Sequence, residues 1–547
     1  MFRRISMLTA CAVLLAACGG GGGGTASSSP QPGPALAFAA STPADGTTAV
    51  ARNTTFSASF NRAVAPASVT ASSARLLGPE GNAIPVAVSV SGSDIGFTAP
   101  LGLPGNTAYR VELAASIADT RGSTLGNAVS RTFTTAAQSW QATATEMSSL
   151  TYWSGRTSPL VRADRDGNVM VVWRDRPSHI DTIFASRLDA RTGTWGAPAT
   201  VAVADATSSF GGLSMTTGAK GDVYVTWTET LSGTQAVRMQ RYDPGSGKWS
   251  ALPAVTAPVN GVSASLITDA AGNLTAIVNN LGIYAVRFDT AAQAWAAPVR
   301  LDAPDHPATN ATNVTAAADG KGGLLVGWIQ DTADGRALVV TRNGGANWST
   351  PQQIDSSVGI FSLAVNDGGN AILSWAHDNG TTVAATVMAS IYQPAAGTWS
   401  TAMRLDQADP ALGAYNPKAV VDAAGVPTVI FWQDQGTFAS RYNPANGTWS
   451  TPQRAGERNN RGEFAVLVDA AGNVMVVQEH DDGNAILAIQ YLLADGQWHV
   501  NTISQPPSGN TLVVNLPSAT IDAGGTVTAA WYALNTVDGA ASVNRFK

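Results

Sequence analysis

Residues 420–452 read Val-Val-Asp-Ala-Ala-Gly-Val-Pro-Thr-Val-Ile-Phe-Trp-Gln-Asp-Gln-Gly-Thr-Phe-Ala-Ser-Arg-Tyr-Asn-Pro-Ala-Asn-Gly-Thr-Trp-Ser-Thr-Pro. Asp422 and Gly425 mark a turn, because Asp bonds nearby backbone N–H groups and Gly takes a positive φ without steric cost. An apolar run to Trp432 follows, then a run from Thr437 to Tyr442, a turn at Asn446-Gly447 and a run opened by Trp449. Near-copies of this unit fill the chain after about residue 138.

Two landmarks set the period. Asp-x-x-Gly-Asn before an apolar run occurs at residues 164–168, 269–273 and 469–473, with looser versions at 219–222, 319–323, 367–370, 422–425 and 522–525. A Trp after a Gly-containing turn occurs at Trp195, Trp249, Trp295, Trp348, Trp399, Trp449 and Trp498, with Trp140 as an eighth. Starting from Trp140, the spacings are 55, 54, 46, 53, 51, 50 and 49 residues. Each unit holds four strand-like runs; in the sixth they span 418–422, 427–432, 437–442 and 449–454. A 3.6-residue period, which a helical solenoid requires, is absent, so the array is expected to be all-β and to form a propeller of four-stranded blades. Eight landmark pairs predict eight blades, with seven as the alternative. The last unit, 518–547, stops before its Trp strand, while the strand 140–145 has no preceding three. Joining them closes the ring and removes two exposed sheet edges, so an N-terminal strand is expected to complete the last blade.

Residues 37–136 differ. Short alternating runs such as Thr55-Phe56-Ser57-Ala58-Ser59-Phe60, Pro85-Val86-Ala87-Val88-Ser89-Val90 and Tyr109-Arg110-Val111-Glu112-Leu113 predict about seven strands in a β-sandwich. Pro43-Ala44-Asp45-Gly46, Phe60-Asn61-Arg62-Ala63-Val64, Ala118-Asp119-Thr120-Arg121-Gly122 and Phe133-Thr134-Thr135 make the segment resemble bacterial Ig-like domains of the S-layer type. The resemblance implies a spacer or adhesive module.

The N-terminus reads as a targeting segment. Arg3 and Arg4 precede the apolar residues 8–15 and the small pair Ala16-Ala17, a core too short to span a bilayer. Leu15-Ala16-Ala17-Cys18 resembles the lipobox of bacterial lipoproteins. That resemblance implies removal of residues 1–17 and lipidation of Cys18; Gly19 resembles the pattern of outer-membrane lipoproteins. Residues 18–36, with six glycines and then Ser and Pro, would be a flexible tether, residues 19–34 of which have a mean reach of roughly 20–24 Å. Cys11 and Cys18 are the only cysteines among 547 residues, so after cleavage disulfides and thiol nucleophiles are excluded. A formal charge of −6, with no Lys/Arg run, gives no electrostatic reason to bind nucleic acid.

Thr341-Arg342-Asn343-Gly344-Gly345-Ala346-Asn347-Trp348 resembles the Asp-box of sialidase-type propellers, with Asn343 in place of Asp. In such propellers this turn joins the third and fourth strands on the face opposite the active site. By that implication the irregular second-to-third-strand loops and the links between blades gather at the other end. There, six units end an apolar strand in Trp (Trp173, Trp227, Trp328, Trp375, Trp432 and Trp531), with Val278 and Gln478 in the other two. Two residues on stand Asp175, Glu229, Asn280, Gln330, His377, Asp434, His480 and Ala533. Seven of these eight can hydrogen-bond, which suggests either a polyhydroxyl or cation site at the channel mouth or a set of hairpin caps.

Searches for catalytic sequences give little. No Gly-x-Ser-x-Gly elbow, His-Glu-x-x-His pair or P-loop occurs, and the five histidines share no ligand spacing. Arg187, Arg241, Arg287, Arg441 and Arg545 recur late in third strands, which suggests blade packing. Asp164-Arg165-Asp166-Gly167-Asn168 lacks the third acid and distant Glu of a calcium loop. No cofactor or metal is expected. The reading is an outer-membrane lipoprotein in which an Ig-like β-sandwich precedes a propeller that presents its loop face to a glycan or protein. A sialidase-like glycosidase or polysaccharide lyase is the alternative, and a structural component of an envelope complex a third reading.

Overall fold

The computed structural model describes residues 35–150, 158–255, 263–279, 281–302, 311–333, 335–344, 347–378, 385–406, 412–434, 436–457, 464–480, 483–504, 513–534 and 539–547. The leader 1–17, Cys18, most of the expected tether and Asn280 lie outside them.

The N-terminal unit is a sandwich of two four-stranded sheets, eight strands rather than about seven. Its alternating strands turn one side inward: Phe56, Ala58 and Phe60 are buried while Ser57 and Ser59 between them are not. Phe56, Phe97, Tyr109 and Phe133 pack ring against ring at the centre.

The remainder is an eight-bladed propeller. Eight four-strand paths follow one another, and the first strand of each packs against the first strands of its two neighbours, the eighth returning to the first. Eight hydrophobic clusters fill the seams, one between each pair of adjacent blades. Second strands supply both seams because their side chains alternate. Val169, Val171 and Trp173 pack toward the eighth blade, and Met170 and Val172 toward the second.

One turn generates the ring. In every blade, the residue opening the first turn and the fifth residue after the strand break are joined by a backbone hydrogen bond, from Asp164 N–H to Asn168 C=O in the first blade to Asp522 N–H to Thr526 C=O in the eighth. The fourth residue is always a glycine at positive φ, here Gly167, Gly221, Gly272, Gly322, Gly369, Gly425, Gly472 and Gly525. Two turns are thereby re-registered: the second blade's runs from Gly218 to Asp222, and the fifth blade's opens at Asn366 rather than Asp367.

Closure uses the expected N-terminal strand, shifted along the chain. Thr145–Leu150 pairs antiparallel with Gly539–Phe546, while Trp140 makes only an isolated bridge to Phe546. The same break recurs elsewhere: the Trp449 run splits into Thr448–Trp449 and Gln453–Glu457 around Pro452, which has no N–H to donate.

The sandwich sits on the turn end of the propeller. Gln138 and Asn82 side-chain amides donate to Gly525 C=O at 3.0 Å and Ala470 C=O at 2.9 Å. Asn473 Nδ2 donates to Thr107 Oγ1, and Arg52 to Gly524 C=O. Gly524 lies so close to Leu101 that a Cβ there would fall 2.3 Å from the Leu101 carbonyl oxygen. Any larger residue would push the two units apart.

Candidate functional site

At the opposite end of the blades the second strands close into hairpins with the third. Counting seven residues from the fifth position of each turn reaches Asp175, Glu229, Gln330, His377, Gln433, His480 and Ala533, while Asn280 in the third blade lies outside the described residues. Among the described residues six of the seven expected positions therefore coincide, and Asp434 gives way to Gln433. The reason is register. Phe431, not Trp432, stands where Trp173, Trp328 and Trp375 stand in their blades, packed toward the preceding blade. Trp432 points the other way and packs on Phe464 of the seventh blade, ring centroids 5.5 Å apart. A one-residue slip in a strand exchanges its faces. Gln433 is buried and donates to Leu412 C=O, while Asp434 is an exposed turn residue at φ 52°. Counting from the turn instead of from the Trp would have found Gln433.

The ring positions are engaged in local and interblade bonds. Asp175 is buried and accepts the Arg176 N–H. Glu229 pairs with Arg238 at 2.8 Å and accepts from Ser208 Oγ at 3.4 Å. Gln330 Oε1 accepts the indole N–H of Trp328 at 2.7 Å. His377 Nδ1 lies 2.8 Å from Asp355 of the preceding blade, and the same carboxylate oxygen takes the Trp375 indole N–H. His480 repeats the arrangement, 3.3 Å from Glu457 of the sixth blade. Beneath it, Gln478 donates to Glu457 C=O and accepts from Thr437 Oγ1. His377 and His480 thus tie neighbouring blades together, and the caps bring acid, amide and imidazole groups to one end. Among the described residues, no three His, Cys, Asp or Glu side chains converge to hold a metal.

The turn end has a different chemistry. Asp164 Oδ1 takes the N–H groups of Asp166 and Asn168, and its second oxygen faces Arg187. Arg241–Asp222, Arg342–Asp319 and Arg441–Asp422 repeat that ion pair, each third-strand arginine bonding the turn acid of its own blade. Under the sandwich, burial pushes Asp469 up to about 6 against the hydrogen bonds it accepts from Asn473 and Ala471. Burial likewise raises Glu80 and Asp522 and lowers Arg52.

Residues 33–135 match the bacterial Ig-like domain family. No curated protein matches the chain in sequence. Among solved structures the chain is similar to the Dos1 propeller, at 10% identity and a TM-score of 0.47, over 74% of this chain and 95% of that one. It is similar to the polysaccharide lyase Uly1 at 10% identity and 0.42, over 62% and 90%. The β-propeller domain of the Trilobed protease from Pyrococcus furiosus gives 9% identity and 0.40, over 65% and 97%. None of these likenesses reaches beyond the architecture.

Proposed function

We propose that this protein is a cell-envelope lipoprotein that binds or adheres through the hairpin end of its propeller, with a glycan or an envelope protein as ligand. The observation that carries this reading is the seating of the Ig-like domain on the turn end, over the sixth, seventh, eighth and first blades. That contact commits half of the turn end to the chain itself and makes the hairpin end the wider presenting surface. Lipidation at Cys18, followed by the glycine-rich tether, would hold the pair of domains off the outer membrane. The Thr341–Trp348 turn is read as a relaxed Asp-box: Asn343 bridges Trp348, and Thr341 Oγ1 donates to Ser349 C=O.

The test is a glycan-array and envelope-protein binding screen of soluble residues 25–547, run beside Glu229→Ala, Asp434→Ala and His480→Ala. Binding by the parent that weakens in these variants supports the hairpin end. Binding unchanged in all three moves the ligand elsewhere, and turnover of a bound glycan would replace the binding reading with an enzymatic one.

A further inference from the structure

Two blade seams carry pockets built on the same plan, an arginine facing the next blade's Tyr–Trp pair, and they differ in how that arginine is bonded. Between the sixth and seventh blades a cavity of about 370 Å³ is lined by Arg441, Tyr442, Gln453, Tyr491 and Trp498. Between the fourth and fifth blades one of about 360 Å³ is lined by Arg342, Trp348, Gln352, Tyr392 and Trp399. Both volumes suit a small ligand. In each, a third-strand arginine of one blade faces the Tyr–Trp pair of the next.

The arginines are satisfied differently. Arg441 bonds the turn Asp422 at 2.7 Å, Thr428 Oγ1 at 2.9 Å and, from the Ig-like domain, the Glu80 carboxylate at 2.8 Å. Arg342 has only long contacts, 3.3 Å to Asp319 and 3.4 Å to the Tyr392 hydroxyl, and its Nε is buried without a partner among the described residues. Its guanidinium lies 5.4 Å from the centre of the Tyr392 ring, and a third of the side chain is exposed. Each Nη carries two N–H groups, so donors remain for an anion. Glu80 therefore acts as an internal stand-in: it shows, at the sixth seam, the group that the fourth-to-fifth seam lacks.

We propose that the seam between the fourth and fifth blades binds a carboxylated sugar, its carboxylate on Arg342 and a ring face on the Trp399 and Trp348 side. Aromatic walls take the apolar face of a sugar, and the Gln352 and Thr350 side chains supply bonds for hydroxyls. This site is separate from the hairpin end.

The test is calorimetric titration of the full-length protein with oligogalacturonate, its methyl ester and a Glu-rich peptide. Binding of the acid with at least about tenfold weaker binding of the ester is expected, since the charge-assisted bonds are lost. Arg342→Lys, which loses the planar fork, and Thr350→Trp, which fills the pocket without touching the Arg342–Asp319 pair, should each weaken the acid about tenfold or more. Arg441→Lys should leave it unchanged. Equal binding of acid and ester, no binding of the acid, binding of the peptide alone, or an unaltered affinity in Thr350→Trp would each overturn the proposal.

Discussion

The two ends of the propeller are built from the same repeat, yet they are constrained unlike one another. At the turn end the chain reverses within five residues, so a glycine at positive φ stands in every blade, and in seven of the eight an Asp or Asn opens the turn and accepts its N–H groups, Gly218 opening the second blade's instead. At the hairpin end the equivalent positions hold Asp175, Glu229, Gln330, His377 and Gln433, which bond different partners at different distances. Backbone geometry dictates residue type at the first end, and side-chain reach dictates it at the second. Chemical variety can therefore accumulate only at the hairpin end without breaking the fold.

The sharpest way to break this comparison is to remove a side chain that serves the seam and the hairpin end together. Trp375 is fully buried and its indole N–H shares Asp355 with His377. Trp375→Ala should cost about 3–5 kcal/mol in urea unfolding, and a loss under about 1 kcal/mol would show that the seam clusters do not hold the ring.

The buried carboxylate at the turn end predicts an effect of comparable size that depends on pH. Asp469 holds its proton up to about 6 in the folded protein, against 3.8 for the free group. The folded state then binds more protons between these values, so stability falls as pH rises from about 4 to about 6, by roughly 3 kcal/mol at most. Glu80 and Asp522 shift in the same direction and add to the trend. Asn366 already fills the equivalent position in the fifth blade, so Asp469→Asn should keep the turn and flatten the profile. An unchanged slope between pH 4.5 and 7 in the variant would mean that other groups carry it.

Ion pairs at the two ends should differ by a smaller margin. Arg441→Ala leaves Asp422, which is 2% exposed, and Glu80 without their shared partner, and should cost about 2–3 kcal/mol. Arg238→Ala frees the hairpin-end Glu229 from an exposed partner and should cost less than about 1 kcal/mol. Equal losses on thermal unfolding would erase the distinction. Smallest of all is the pair at the register slip. Gln433→Ala should lose about 1–2 kcal/mol with its buried bond, whereas Asp434→Gly, at φ 52°, should fall within about 0.5 kcal/mol of the parent.

Blade number, four strands per blade and closure by an N-terminal strand were legible in the sequence because glycine and tryptophan recur at fixed intervals and each has a steric reason to do so, whereas the closing strand's place was read five residues early. The slip at Trp432 arose because Phe431 and Trp432 are both large and apolar, and only the distance from Gly425 tells which one faces the fifth blade. The docking of the Ig-like domain was not legible. It rests on Asn82, Gln138 and Arg52 meeting backbone carbonyls of residues more than three hundred positions away, and a carbonyl has no signature in a sequence. For the same reason the under-bonded Arg342 looks identical to Arg441 until their neighbours are placed.

The shared eighth blade also sets a clock. Leu150 pairs with Gly539, so one strand must wait while the intervening chain is made. At roughly 5–20 residues per second that delay is on the order of tens of seconds. Throughout it the Ig-like domain and the early blades exist without a closed ring, and the free edge of Thr145–Leu150 stands as an unpaired strand. Until the ring closes, that edge is open to pairing with another chain.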